Sequence, residues 1–138
     1  VQATTTRLQH LFLWLAPAVV TAGYVGVAVE ALAGRHVPVA LWILGSVMVP
    51  MAWWSFLSVP RSVLVDEGKL VFVMPQRHFD IAITDIREID AREWNSGYVV
   101  FSAGRKKVFV LGGMRDLGSV VALVLERNAN TLLRGQTL

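Results

Sequence analysis

Two long uncharged runs near the start of the sequence restrict what the chain can fold into more than any other feature. Leu11–Val29, LFLWLAPAVVTAGYVGVAV, contains 19 residues without a charged side chain, and Val37–Val59, VPVALWILGSVMVPMAWWSFLSV, contains 23. A helix rises about 1.5 Å per residue, so even the shorter run reaches roughly 28 Å, close to the hydrocarbon thickness of a bilayer. Both read as transmembrane helices, with spans at about 8–32 and 37–59. A cleavable signal peptide competes for the first run, but its apolar core would be shorter and a second span would not normally follow at once. A buried hairpin in a soluble protein is a poorer fit. The rest of a 138-residue chain is too small to cover two helices that are apolar all round.

Charge divides the chain at the same place. Before Pro60 the only charged side chains are Arg7, Glu30 and Arg35; the other 11 of 13 basic and 9 of 10 acidic residues follow it. The expected organisation is a membrane hairpin over 1–60, a water-compatible β domain over 61–130 and a tail over 131–138 without a strong pattern. The second part carries a net charge of 11 − 9 = +2. That is too balanced for a nucleic-acid footprint. The absence of cysteine rules out a disulfide framework, a thiolate metal site and a cysteine nucleophile within this sequence.

The short connection AGRHV makes the spans an antiparallel hairpin with both ends on one side of the membrane. Arg7, Arg61 and Lys69 lie on the terminal side and Arg35 alone on the loop side, so the positive-inside rule places both ends and the β domain in the cytoplasm. Trp53 and Trp54 fit the interfacial aromatic belt, and Arg61 beyond them fits the headgroup level. Pro60 helps to stop the second helix. Pro17 and Pro50 are candidate kinks, and neither by itself suggests transport.

Within the first span Trp14, Ala18, Ala22 and Gly26 recur every fourth residue. Small residues on such a stripe allow another helix to approach closely, either the second span or a foreign one. Glu30 continues the stripe, as an intramembrane functional carboxylate or as a terminal residue snorkelling to the interface.

Beyond Pro60 the pattern changes to short strands. Ser62–Asp66 and Lys69–Met74 flank the turn DEG, with Gly68 in the left-handed position. In His78–Ile83 the residues Phe79, Ile81 and Ile83 share one face, and His78, Asp80 and Ala82 the other. Ile86–Glu93 is expected to continue as a less regular strand, WNSGY to turn, and Tyr98–Ser102 and Lys106–Leu111 to pair across Ala103–Gly104. Leu117, Val120, Val121, Val124 and Leu125 then fall at helical spacing, with Asp116 as a plausible N-cap. The fold class is α+β, and the closing helix would cover the bare face or plug the mouth of the bent sheet.

The order of elements, with SVLVDEGKLVF, IAITDIREIDA, YVVFSAGRKKVFVLGG and DLGSVVALVLER, resembles the bacterial pleckstrin-homology-like (bPH) domain of small membrane proteins. Asp85, Ile86 and Ile89 match the D-I-x-x-I-like stretch such domains commonly carry, and an N-terminal pair of spans is usual among them. The resemblance implies a small antiparallel PH-like barrel or sandwich closed by a C-terminal helix, at the bacterial inner membrane. It also implies a non-enzymatic anchoring, assembly or accessory role, because such proteins offer no catalytic residues to carry over. Some photosynthetic-complex assembly proteins combine spans with this domain.

The residues themselves offer little chemistry. His10 and His36 are expected at opposite membrane faces and cannot share a site. Either could ligate a chlorophyll or haem at the membrane edge, or simply be an interfacial histidine. Asp66 and Glu67 belong to a turn. Asp85, Glu88 and Asp90, interspersed with Arg87 and Arg92, read as a charge-balanced solvated face. No metal-ligand spacing or phosphate loop appears, so no catalytic residue, metal, cofactor or small-molecule substrate is expected. Arg105, Lys106 and Lys107 at a hairpin tip could meet anionic headgroups, or could be a solvated turn or a protected sheet edge. Three functional expectations follow. The first is an interaction protein docked on an integral membrane complex, the second a lipid-binding module, and the third a component of an enzyme or transporter whose site is not visible.

Overall fold

The computed structural model describes residues 2–94 and 97–135. It is α+β and divides into two units: a helical hairpin over 7–58, and a β unit made of residues 1–6 and 59–138.

The hairpin consists of α1 (Arg7–Leu32) and α2 (Val39–Ser58). Each is long and apolar enough to cross a membrane, and their bounds follow the two uncharged runs closely. Helix α1 ends where the backbone turns left-handed at Gly34 (φ 79°), a conformation a Cβ would strain. The Gly34 N–H donates to the Ala31 carbonyl and the Arg35 N–H to the Glu30 carbonyl, each at 3.1 Å. This is a Schellman closure. The Arg35 guanidinium adds an ion pair to Glu30 at 2.7 Å. Glu30 is therefore exposed and paired at the loop end of its helix.

The β unit begins with a strand that the sequence pattern did not announce, β1 (Gln2–Thr4), which pairs antiparallel with β2 (Ser62–Asp66) in the register Thr4↔Ser62. The hairpin is thus an insertion between two paired strands, rather than a segment preceding the domain. β3 (Lys69–Val73) and β4 (His78–Ala82) complete the sheet β1-β2-β3-β4. The β2–β3 turn has positive φ at both Glu67 (43°) and Gly68 (82°), the I′ geometry that matches strand twist.

A single 3₁₀ turn, Ile83–Asp85, leads to the second sheet. That sheet contains β5 (Glu88–Asp90), β6 (Tyr98–Ala103), β7 (Lys106–Leu111) and β8 (Leu132–Arg134), in the order β7-β6-β5-β8. The strand expected over Ile86–Glu93 shrinks to three residues. Ile83, Ile86 and Ile89 are all buried at a spacing of three, which a two-residue repeat cannot satisfy. The expected turn at 94–98 falls partly on residues 95 and 96, outside the described residues. The tail is not wholly patternless: Leu132–Arg134 runs parallel to β5, with Leu132 N–H donating to Arg87 and Ala91 N–H to Arg134.

Helix α3 (Leu117–Arg127) buries Leu117, Val120, Val121 and Val124 against Val63, Leu70, Phe72, Ile89, Val99, Phe101 and Val110. Phe72 sits between Phe79 and Phe101, with ring centroids 5.3 and 5.8 Å away. The helix covers the bare face of the sheets, as its amphipathic spacing requires. No ladder joins the two sheets among the described residues, so the barrel alternative is not formed. Asp116 starts α3 through its backbone carbonyl, which accepts from Ser119 and Val120. It sits at φ 61° and its side chain caps nothing, contrary to the expected N-cap bond. A polar clasp holds the 3₁₀ turn. The buried Asn128 amide donates to the carbonyls of Ile83 (2.8 Å) and Ile86 (3.0 Å), and Thr131 Oγ1 also donates to Ile86.

Candidate functional site

In the hairpin, aromatic rings and two polar pairs join aliphatic residues such as Leu13, Pro17, Val20 and Val49 on the less exposed faces. Trp53 Nε1 donates to Thr21 Oγ1 at 3.0 Å, and Tyr24 Oη lies 3.2 Å from Ser46 Oγ. The Tyr24 ring lies edge-on to Trp42, with centroids 5.8 Å apart. It occupies the space a Cβ on Gly45 would need. Trp14 packs on Phe56 (4.5 Å) and Trp53 (6.4 Å). Interhelical hydrogen bonds and small residues are the ordinary means by which helices associate where lipid removes the hydrophobic drive.

This arrangement distributes the expected residues unevenly. Trp14 joins the helix–helix contact, but Ala18, Ala22 and Gly26 are exposed, and a Cβ on Gly26 would meet nothing within 4 Å. The small-residue stripe is therefore not what α2 packs on. Of the expected interfacial anchors, Trp54 points outward, 72% exposed, whereas Trp53 faces α1. Arg61 is half-buried in the β unit. Its backbone bonds Val73 and Thr5, and burial lowers the pKa of its guanidinium. His10 Nε2 accepts from Trp14 Nε1 at 3.2 Å, which engages one of the two ring nitrogens through which it could ligate a pigment or haem metal.

The basic run Arg105–Lys106–Lys107 is exposed and divided between the two faces of its strand. Strand alternation sends Lys106 to the side of Val108 and Val110, where its ammonium lies 5.2 Å from the Phe79 ring centre. There it borders a shallow groove of about 370 Å³ with Asp80, Asp85 and Arg87. Lys107 lies on the opposite, outer face, beside Ser102. Arg105 occupies the turn itself.

That outer face of the second sheet carries a feature the sequence reading did not single out. Tyr98 (43% exposed) and Phe109 (52%) pack edge to face with centroids 6.2 Å apart. They border a depression of about 430 Å³ with Asp90, Arg92, Glu93 and Val100. The signal was an aromatic at each outward parity, alternating with buried Val99 and Val110. Two of the acids on this face are paired, Asp90 with Arg92 at 2.6 Å and Glu88 with Arg134 at 3.0 Å, whereas Glu93 is in no ion pair among the described residues. The bond from Arg92 holds the Asp90 carboxyl down at about 2. Among the described residues no cluster of three His, Asp or Glu side chains is placed to hold a metal ion.

No family model, curated protein or solved structure matches the chain.

Proposed function

We propose that the chain is a non-catalytic, membrane-anchored interaction protein, an accessory subunit or assembly factor of a larger membrane complex, with energy-converting complexes such as photosynthetic or respiratory ones among the candidates. The observation that carries this reading is the uncovered stripe Ala18, Ala22 and Gly26. α2 packs on a different face of α1, so the side chains that permit the closest helix approach are left for another partner. The hairpin's two ends share one side of the bilayer, and Arg7, Arg61 and Lys69 against Arg35 favour the cytoplasmic side of a bacterial inner membrane. Two sheets covered by a C-terminal helix support a PH-like reading of the β unit. The leading strand β1 and the parallel β8 are departures from the simplest antiparallel form of that fold.

The test is extraction from native membranes in mild detergent, followed by size separation and mass spectrometry. Stoichiometric comigration with a large membrane complex, lost in an Ala18→Leu/Ala22→Leu variant that keeps its helix content, is expected. Migration as a lone chain overturns the reading.

A second reading is a tethered module that binds anionic lipid through its basic hairpin tip. Arg105 and Lys107 favour it, since both are exposed and neither forms an ion pair among the described residues.

A further inference from the structure

The two sheets of the β unit end in four edge strands, β1, β4, β7 and β8. Three of them are blunted. β1 has three residues and is bridged at Thr4 to Arg115. β8 also has three. β4 has five, but it carries His78 and the ion-paired Asp80. β7 runs for six residues without proline, and β6 is its one neighbour among the described residues. Short strands, bridges and charges are the ordinary protection of an edge, and a long edge that exposes an apolar side chain is a template for another strand.

The ladder shows which β7 residues are free to pair. The Gly112 N–H donates to the Gly97 carbonyl, and the same register sets Val110 against Val99, Val108 against Phe101 and Lys106 against Ala103. Hydrogen-bonded pairs alternate along an antiparallel ladder. Lys106, Val108 and Val110 therefore spend their backbone groups on β6, and Lys107, Phe109 and Leu111 direct theirs away from it. The same three residues have their side chains on the outer face, where Phe109 is exposed beside Tyr98.

We infer that β7 pairs antiparallel with β7 of a second copy of this chain, centred on Phe109, so that two four-stranded sheets become one continuous sheet. Three free positions spaced by two are self-complementary. About this centre Phe109 lies opposite Phe109, and Lys107 opposite Leu111 on both sides. This is the register that uses all three positions of each strand. Sliding it by four residues would set Lys107 against Lys107, and like charges directly opposite are destabilising. Charge fits as well. Lys107 and Glu93 are in no ion pair among the described residues. Leu111 pairs with Tyr98, and Glu93 borders the depression beside Tyr98. Lys107 of one copy therefore faces the Leu111–Tyr98 row of the other, with Glu93 beyond it, and the twofold repeats the match. The edge supplies both halves of the fit, as a twofold interface requires, which favours a second copy over a foreign strand. The contact lies within the β unit and does not use the Ala18–Ala22–Gly26 stripe, so it stands or falls apart from the proposed membrane partner.

The sequence lacks cysteine, so single cysteines in the full chain report the register by disulfide formation in detergent. Three variants are compared, Phe109→Cys, Lys107→Cys and Leu111→Cys. In the inferred pairing the two Cα atoms at position 109 are about 5.5 Å apart, within the span of a disulfide. Those at 107, and those at 111, are four residues apart along the strands, roughly 14 Å, and beyond that span. Mild oxidation should link Phe109→Cys into a dimer far faster than the other two. Faster linking at Lys107→Cys, or none at any position, overturns the inference. Without oxidation, the protein mass corrected for bound detergent should be that of two chains. Phe109→Lys and Lys107→Glu should each reduce it toward one chain while the β signal is retained, and Glu93→Lys added to Lys107→Glu should restore it. A wild-type mass of one chain overturns the inference. So does a dimer that Phe109→Lys leaves intact, because self-association then lies elsewhere.

Discussion

The hairpin and the β unit sort the same residue types in opposite directions. In the β unit Phe72, Phe101, Ile89 and Val99 are inside, and Lys107, Asp80 and His78 are outside. In the hairpin Leu11, Phe12, Ile43, Leu44 and Val47 are outside, while Thr21, Tyr24, Gly45 and Ser46 meet between the helices. A unit that leaves so much aliphatic and aromatic surface uncovered is suited to an apolar surrounding, and the β unit to water. The contrast also separates the forces. Removal of apolar area from water holds the β unit, whereas close fit and a few hydrogen bonds hold the hairpin. Perturbations should therefore act on one unit at a time.

The largest effect is expected from Phe72→Ala. The ring is fully buried between Phe79 and Phe101, and a truncation of this kind costs about 3–5 kcal/mol. Denaturant titration of the chain in detergent should show loss of the β signal at lower concentration while the hairpin's helical signal stays. Coincident loss of both would mean that the units unfold as one. Asn128→Ala comes next. It removes the donor from two buried carbonyls, Ile83 and Ile86, one of which keeps the Thr131 hydroxyl. The expected cost is about 1–3 kcal/mol, with faster amide exchange around the 3₁₀ turn. An unchanged midpoint would show that water replaces the clasp without loss.

A glycine pair tests the hairpin by the sign of one substitution. Gly23→Ala meets nothing within 4 Å, so it should stabilise α1 by about 0.5–1 kcal/mol through helix propensity. Gly45→Ala puts its methyl where the Tyr24 ring lies, at the cost of the Ser46 bond and the Trp42 edge contact. It should destabilise the hairpin by about 1 kcal/mol or more, as overpacking does. Thermal loss of helicity in detergent measures both. The same sign at both positions would break the view that Tyr24 in the Gly45 notch sets the helix–helix fit.

Elements with a long repeat were legible in the sequence. Absence of charge over 19 and 23 residues fixed both apolar helices, and alternation fixed β2, β3, β4, β6 and β7 almost to the residue. Three-residue strands carry no period, so β1 and β8 could be found only through their partners, Ser62–Leu64 and Glu88–Asp90. The Asn128 clasp depends on contacts 42 to 45 residues away, beyond any local pattern. Trp53 was ambiguous for another reason. A tryptophan near a span's end suits either the interface or a partner helix, and the choice depends on the phase of Thr21 on α1. The split of Lys106 from Lys107 was readable, since Val108 and Val110 fix the inward parity of their strand.

The smallest effect concerns acid, and it too should fall on one unit. Arg92 donates to both carboxylate oxygens of Asp90, at 3.0 and 2.6 Å, and keeps that group ionised to about pH 2 instead of its ordinary 3.8. Above pH 3.8 folded and unfolded chains both carry the charge, and the pair's contribution is fully present. As pH falls from 3.8 toward 2 the unfolded chain takes up a proton that the folded one refuses, so the contribution is lost across that window. The pair is at the surface, which keeps the effect small. Carboxyl-carbon NMR should show Asp90 titrating near 2, and Arg92→Gln should return it toward 3.8; a wild-type midpoint already near 3.8 would remove the pair from the account. The hairpin holds a single carboxylate, Glu30, against nine beyond Pro60. Acid should therefore loosen the β unit while the helical signal of α1 and α2 persists, which is the separation of the two units read by protons instead of by mutation.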